Sequence, residues 1–331
     1  MKPRCLSALA AGCLGALNLA AQTNLFVAPD GSAPFRSVQQ AVMSVPSGSR
    51  ANPVIIHIRP GVYRELVYVQ HEKRCFQLLG ENATNTVLTY HLFAGLTNFD
   101  GQPIGTFHTP STTIDADDFT AENLTFENSA GAVGQAVALR VDGDRATFRH
   151  CRFLGWQDTL LLNRGRQYFE HCEIAGAVDF IFGAGTAWFD HCQIRCLGNG
   201  YITAASTPVD QPFGFVFSGC QISGAAPEVK TYLGRPWRNY AGTVFLNTEM
   251  SGVVRPEGWH DWKKPEAHRT ARYAEYGSHG EGASPTNRPF WIRQLTRSEA
   301  KKITLEKVLG GTDGWRPSTN DFGPRLIAPS F

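Results

Sequence analysis

The stretch "FRHCRF" at 148–153 returns as "FEHCEI" at 169–174, "FDHCQI" at 189–194 and "FSGCQI" at 217–222. Each copy sets a cysteine between apolar positions: Cys151, Cys172, Cys192 and Cys220. Successive cysteines lie 21, 20 and 28 residues apart. Short strands recurring with a period of roughly 20–30 residues mark a solenoid. "AENLTF" at 121–126 joins the same frame, with Leu124 in the cysteine slot. One column then reads Leu124, Cys151, Cys172, Cys192, Cys220. A second reads Phe126, Phe153, Ile174, Ile194, Ile222. The residues between them, Thr125, Arg152, Glu173, Gln193 and Gln221, are polar. Such alternation belongs to strands with one buried face. The leucine and asparagine spacing of a leucine-rich repeat is missing. The predicted fold is all-β, a parallel β-helix in which each turn adds a rung and like residues stack inside.

The cysteine column has two readings. Cysteine packs well as a small buried hydrophobe. Alternatively, two members on neighbouring rungs are oxidised. Cys172 and Cys192 are then the disulfide candidates, with Cys192–Cys196 as the rival pairing. The His-Cys dipeptides at 150–151, 171–172 and 191–192 do not read as metal sites, because adjacent strand residues point to opposite faces. Histidines 150, 171 and 191 read as a polar column beside the cysteines.

The 331-residue chain is 42% hydrophobic and 18% charged, with 33 glycines and 19 prolines, a mix suited to many short strands and turns. It opens on a basic "MKPR", an apolar "CLSALAAGCLGALNLAA" and a polar "QTN". This is the pattern of a secretory signal peptide over 1–21. Cys13 as a lipidated residue fits less well. Removing 1–21 leaves 29 basic against 29 acidic residues, so no bulk charge attracts nucleic acid. No apolar run is long enough for a membrane-spanning helix. Residues 22–331 are expected to form one secreted domain, extracellular or periplasmic, acting as a monomer.

Outside the repeats, "FRSVQQAVMSVP" (35–46) has helical apolar spacing and is expected to cap the open end of the solenoid. "VIIHIRPGVYRELVYV" (54–69) reads as two strands around Pro60-Gly61. "TRSEAKKITLEKVLGG" (296–311) reads as one helix, capped by Thr296 with Glu299 and stopped at Gly310.

The repeat frame also carries chemistry. Asp158 lies five residues after Phe153, and Asp179 five after Ile174, with Gly155 and Gly176 at matching offsets. Stacked rungs bring the two aspartates to about the strand spacing, roughly 4.8 Å. Two such carboxyls are expected to split, one pKa rising and the other falling, as an acid and a base or nucleophile. The pair alone leaves the reaction open, since a retaining glycosidase also uses two close carboxyl groups.

"GQAVALRV" (134–141), "GWQDTLL" (155–161), "DFIFG" (179–183) and "LGRPW" (233–237), in that order, resemble the signature set of pectin methylesterases, carbohydrate esterase family 8. "GVYRE" (61–65), "PEGWHDW" (256–262) and the closing "RQLTRSEAKKITLEKVLGGTDGWRP" (293–317) agree. The resemblance implies a right-handed parallel β-helix, a cleft along one sheet, methyl-esterified homogalacturonan as substrate, and no metal or cofactor. It implies that Asp179 is the nucleophile, Asp158 the general acid and then base, and Arg235 the group that keeps Asp179 ionised. Gln135 and Gln157 are implied as amide donors to an oxyanion. Trp237 and Phe182 are expected to meet sugar rings; Trp156, beside Gln157, has no assigned role. One tension stands in the strand itself: Gln157 and Asp158 are adjacent, yet both must reach the cleft, so the chain is expected to bend there. The short 194–233 stretch predicts short cleft-rimming loops. A β-helix glycosidase on the same polymer and a non-catalytic carbohydrate-binding solenoid are the rival readings.

Overall fold

Three strands per turn, repeated around a buried apolar column, generate the architecture. The computed structural model describes residues 23–317; the segment 1–21, expected from the sequence to be a signal peptide, lies outside them. Every strand-to-strand pairing among the named strands is parallel, which makes the molecule a right-handed parallel β-helix.

The first face is an eleven-stranded sheet from Thr23–Val27 to Arg293–Gln294. It contains Ala146–Arg149, Arg166–Glu170, Thr186–Asp190, Phe215–Ser218 and Gly242–Leu246. Its inward column is Phe148, Phe169, Phe189, Phe217 and Phe245, stacked at centroid spacings of 4.9, 4.8, 4.4 and 4.5 Å. All five are fully buried. Rung spacing thus places flat rings face to face, and dispersion and burial act together along the whole column.

The second face carries the predicted columns in register: Phe126 with Phe153, Phe153 with Ile174, Ile174 with Ile194, Ile194 with Ile222. Thr125, Arg152, Glu173, Gln193 and Gln221 form the outward column beside it. The third face runs through Thr112–Ile114, Leu139–Val141, Leu160–Leu162 and Thr231–Gly234. Two long strands, Glu173–Gly183 and Gln193–Ala205, turn the corner from the second face to the third without a break.

The corner between the first and second faces has its own chemistry. Asn123, His150, His171, His191, Gly219 and Asn247 stack there with φ of 58, 50, 49, 50, 61 and 50°. This is the left-handed region, where glycine, asparagine and histidine are least penalised. The rings of His150 and His171 stack at 5.6 Å on the surface, and those of His171 and His191 lie 5.7 Å apart. The polar column expected from the sequence is therefore a column of corner residues.

The cysteine column is packed, with no S–S bond among the described cysteines. Cys75, Cys151, Cys172, Cys192, Cys196 and Cys220 are buried, unbonded thiols. The Cys172–Cys192 disulfide and its Cys192–Cys196 rival are thus absent from the structure. In-register parallel neighbours hold their Cβ atoms side by side at about the rung spacing of roughly 4.8 Å. A disulfide wants a Cβ separation nearer 3.8 Å, so bonding would pinch two rungs together. Burial also pushes the Cys196 thiol up to about 12, which leaves little thiolate to react.

Three local expectations are refined. The 35–46 segment forms only one short helix, Val38–Met43, which packs on the first turn through Val38, Ala41 and Val42. Its N-terminus is held from outside: Glu65 accepts the Val38 and Gln39 amide N–H groups at 2.8 and 3.0 Å. The 54–69 segment makes three strands, not two, because the chain turns a solenoid corner between Gly61–Arg64 and Val67–Val69. The 296–311 segment makes two helices, Arg297–Ala300 and Leu305–Leu309. The Thr296–Glu299 capping box is present, but Thr304 is extended and caps a second start. The bend lets Ala300, Val308 and Leu309 all bury against Tyr168, Trp188 and Val216 on the outside of the first face.

Candidate active site

The site lies where the second face turns into the third. Asp158 and Asp179 both adopt the left-handed conformation there, with φ of 64 and 50°. Such a residue interrupts the two-residue alternation of a strand, and this resolves the tension at Gln157–Asp158. The matched glycines make the turn tight. A Cβ on Gly176 would lie 2.3 Å from the Cβ of Phe180, and one on Gly155 would lie 2.7 Å from Thr159 Oγ1. Glycine is required at both because the next side chains fold beneath it.

The rungs stack as the spacing predicts. Gln135 pairs with Gln157 and Gln157 with Val178 as parallel bridges. The Asp158 amide N–H donates to the Val178 carbonyl at 3.0 Å. Leu160 pairs with Ile181, so Asp158 and Asp179 occupy equivalent positions one rung apart. Two rungs on, past Gln193–Ala205, Arg235 follows the strand Thr231–Gly234, and its amide N–H donates to Thr203 O at 2.9 Å. Its guanidinium grips both oxygens of Asp179: Nε to Oδ1 at 2.8 Å and Nη2 to Oδ2 at 2.6 Å.

Electrostatics divide the carboxyls. Asp158 is 8% exposed and Asp179 5%. Burial pushes the Asp158 carboxyl up to about 8, and the neighbouring Asp179 adds to the rise while Arg235 opposes it. Burial raises Asp179 as well, but here the Arg235 hydrogen bonds and charge pull back. The expected fall of one pKa below its ordinary value does not occur; burial lifts both. What distinguishes them is the partner. Asp179 has a bidentate cation and Asp158 has none in contact, so Asp158 is the one equipped to hold a proton.

Gln135 is exposed and Gln157 half-buried. They stand on consecutive rungs, and among the described residues their side-chain amides make no hydrogen bond to the protein, which leaves them available to an incoming group.

The family model described as pectinesterase matches residues 24–312. Pectinesterase 31 of Arabidopsis thaliana is 43% identical over 280 residues, covering 83% of this chain and 88% of that protein. The chain belongs to the pectinesterase family. Members of this family are carboxylic ester hydrolases. Among solved structures, the pectin methylesterase from carrot superposes with a TM-score of 0.81 at 33% identity, covering 92% of this chain and 96% of that one. PemA from Erwinia chrysanthemi gives 0.77 at 34% identity, covering 90% and 99%.

Set in a pectinesterase, the aromatic groups sort differently from expectation. Trp237 is half-buried, stacked 6.5 Å from Phe107. Phe182 is only 4% exposed and packs with Val137, Leu161 and Ala204. Its ring lies 5.9 Å from Trp237, so it underlies that indole more than it faces solvent. Sequence reasoning missed Tyr201 and Trp262, whose rings cover the Arg235 guanidinium at 3.8 and 3.7 Å. The second "W" of "PEGWHDW" was the available signal for Trp262. Phe107, stacked on Trp237, comes from the 91–111 connection, and Trp262 comes from the segment between Glu249–Met250 and Ala267–Thr270.

Proposed function

We propose that this pectinesterase is a secreted pectin methylesterase that hydrolyses galacturonate methyl esters through a covalent acyl-aspartate intermediate. The observation that carries the reading is the pairing of Arg235-bound Asp179 with cation-free Asp158 one rung away. A solved pectin methylesterase in complex with a hexasaccharide, 34% identical and superposing at TM-score 0.78, supports the choice of substrate class.

The chemistry follows from that division. Ionised Asp179 attacks the ester carbonyl carbon, and the carbonyl electron pair moves to oxygen. Gln135 and Gln157 offer amide N–H groups to this oxyanion. On collapse the C–O bond to the methoxy group breaks, and Asp158, protonated at neutral pH, delivers its proton to the departing methanol. Asp179 is left as a mixed anhydride with the sugar carboxyl. Asp158, now a carboxylate, takes a proton from water, and the hydroxide equivalent attacks the sugar acyl carbon. Asp179 departs ionised, still held by Arg235, and Asp158 is protonated again. A carboxylate nucleophile thus splits one hard hydrolysis into two easier steps.

The test uses protein lacking 1–21 and highly methylated pectin, with methanol, reducing ends and ultraviolet absorbance followed together. Methanol release at constant polymer length is expected. New reducing ends without methanol would support the glycosidase reading instead. Export is tested separately: N-terminal sequencing of material outside the cytoplasm should begin at or near Gln22.

A further inference from the structure

The Asp179–Arg235 pair has a support on a different axis from its hydrogen bonds. The guanidinium edge is committed to Asp179 through Nε and Nη2. Its two flat faces are covered by Tyr201 at 3.8 Å and Trp262 at 3.7 Å. A guanidinium between two rings cannot tilt out of its plane, and water is kept from both faces.

Both rings are themselves braced. Tyr201 stacks on Tyr232 of the next rung at 5.3 Å, and the His260 ring meets both tyrosines edge-on at 5.5 and 5.3 Å. Trp262 and Lys263 take φ of 58 and 55°, which folds the segment back over the arginine. The Trp262 amide N–H donates to His260 Nδ1 at 2.8 Å, a role only an unprotonated Nδ1 can fill. Lys264 Nζ pins the far side, donating to the Pro236 and Trp237 carbonyls at 3.3 and 3.0 Å, and lies 4.7 Å from the Trp262 ring. None of these contacts reaches Asp179 except through Arg235.

We infer that Tyr201 and Trp262 are positioning residues: by clamping the plane of Arg235 they fix the direction and the charge of the Asp179 nucleophile. The inference rests on the proposed esterase reaction. It explains why two aromatic side chains from distant segments, one on a rung and one on a strap, converge on one guanidinium. Arg235 is the charged group acting on Asp179, with the Asp158 carboxyl one rung away; His260, Asp261, Lys263 and Lys264 belong to the strap, and Arg255 lies over Tyr232. A loosened Arg235 grips Asp179 less of the time, so Asp179 needs a higher pH to ionise.

The experiment compares wild type, Trp262→Leu, Trp262→Phe and Tyr201→Leu in methanol release across pH. Wild-type release tests the esterase reading by itself. Trp262→Leu is expected to lower kcat roughly 3- to 30-fold and to move the acid limb of kcat/KM to higher pH. Trp262→Phe, which keeps a ring over the guanidinium, should restore most of kcat and return the limb. Tyr201→Leu sits on a hydrogen-bonded rung, so it tests the clamp should the strap variant fold poorly. Variants that raise KM while leaving kcat and the acid limb unchanged would overturn the inference and make the rings plain substrate contacts. An active wild type with unshifted profiles in both leucine variants would also overturn it, without touching the esterase reading.

Discussion

Arg235 holds Asp179 by two parallel bonds, Nε–Oδ1 at 2.8 Å and Nη2–Oδ2 at 2.6 Å, from a strand end 56 residues downstream. The fork matters as much as the charge. Arg235→Lys keeps a cation but offers a point charge in place of two fixed donors. Asp179 would then rotate, and misplacement of a reacting group by about 1 Å costs on the order of 10²-fold. We predict a loss of roughly that size in methanol release, with the acid limb moved to higher pH. Arg235→Ala should be more severe, because burial then acts on Asp179 with no cation to oppose it. Retention of near wild-type kcat in Arg235→Lys would mean that charge alone suffices.

The cysteine column should behave as packing. A thiol reagent added to folded protein lacking 1–21 is expected to find no reactive group among Cys75, Cys151, Cys172, Cys192, Cys196 and Cys220, all of which are buried. In denaturant all six should react. A shortfall of two, with Cys172 and Cys192 protected in peptide maps, would revive the disulfide. Cys192→Ala removes one buried heavy atom per site and should cost about 1 kcal/mol, read as a shift in the denaturation midpoint.

How much of this was legible depended on whether a feature repeated. The inward columns and the register of Asp158 with Asp179 could be counted from the sequence, because a solenoid converts sequence period directly into spatial adjacency. The partnership of Arg235 with Asp179 was implied by the family resemblance of the signature stretches, not by the period. Features that occur once were less visible. Tyr201 and Trp262 meet Arg235 through a strap whose path depends on left-handed turns at Trp262 and Lys263. Phe182 lies in a strand at the cleft, yet Trp237 and its neighbours cover it. The two C-terminal helices were read as one because helical periodicity continues across Ile303–Thr304, and only docking on the first face demands the bend.

The corner column gives a backbone test that avoids the active site. His171 is exposed and has φ of 49°. A β-branched residue in this conformation is penalised by roughly 1–2 kcal/mol, whereas glycine is not. His171→Val should therefore lower stability by about that amount, and His171→Gly should stay within a few tenths of wild type. Equal losses in both variants would show that the stacked imidazoles, not the backbone, stabilise the corner.

Asp158 links catalysis to stability with a definite sign. In the folded protein burial and the nearby Asp179 hold its carboxyl at about 8. In the unfolded chain it titrates near 4, roughly its ordinary value. Between those values unfolding releases a proton, so the folded state is progressively disfavoured as pH rises through the window. Asp158→Asn removes that titration while keeping the shape. We predict a variant that matches wild type in stability near pH 4 and exceeds it near pH 8, by about 2–5 kcal/mol. Its activity should fall about 10²–10⁴-fold, since methanol then leaves without a proton donor. Wild-type kcat should decline as pH passes about 8, where Asp158 gives up the proton it delivers. Removing the neighbouring charge by Asp179→Asn should weaken the pH dependence of stability only in part, because burial is the larger cause. Equal stability of Asp158→Asn and wild type at both pH values would show that Asp158 is already ionised at neutral pH, and the general acid would have to be sought elsewhere.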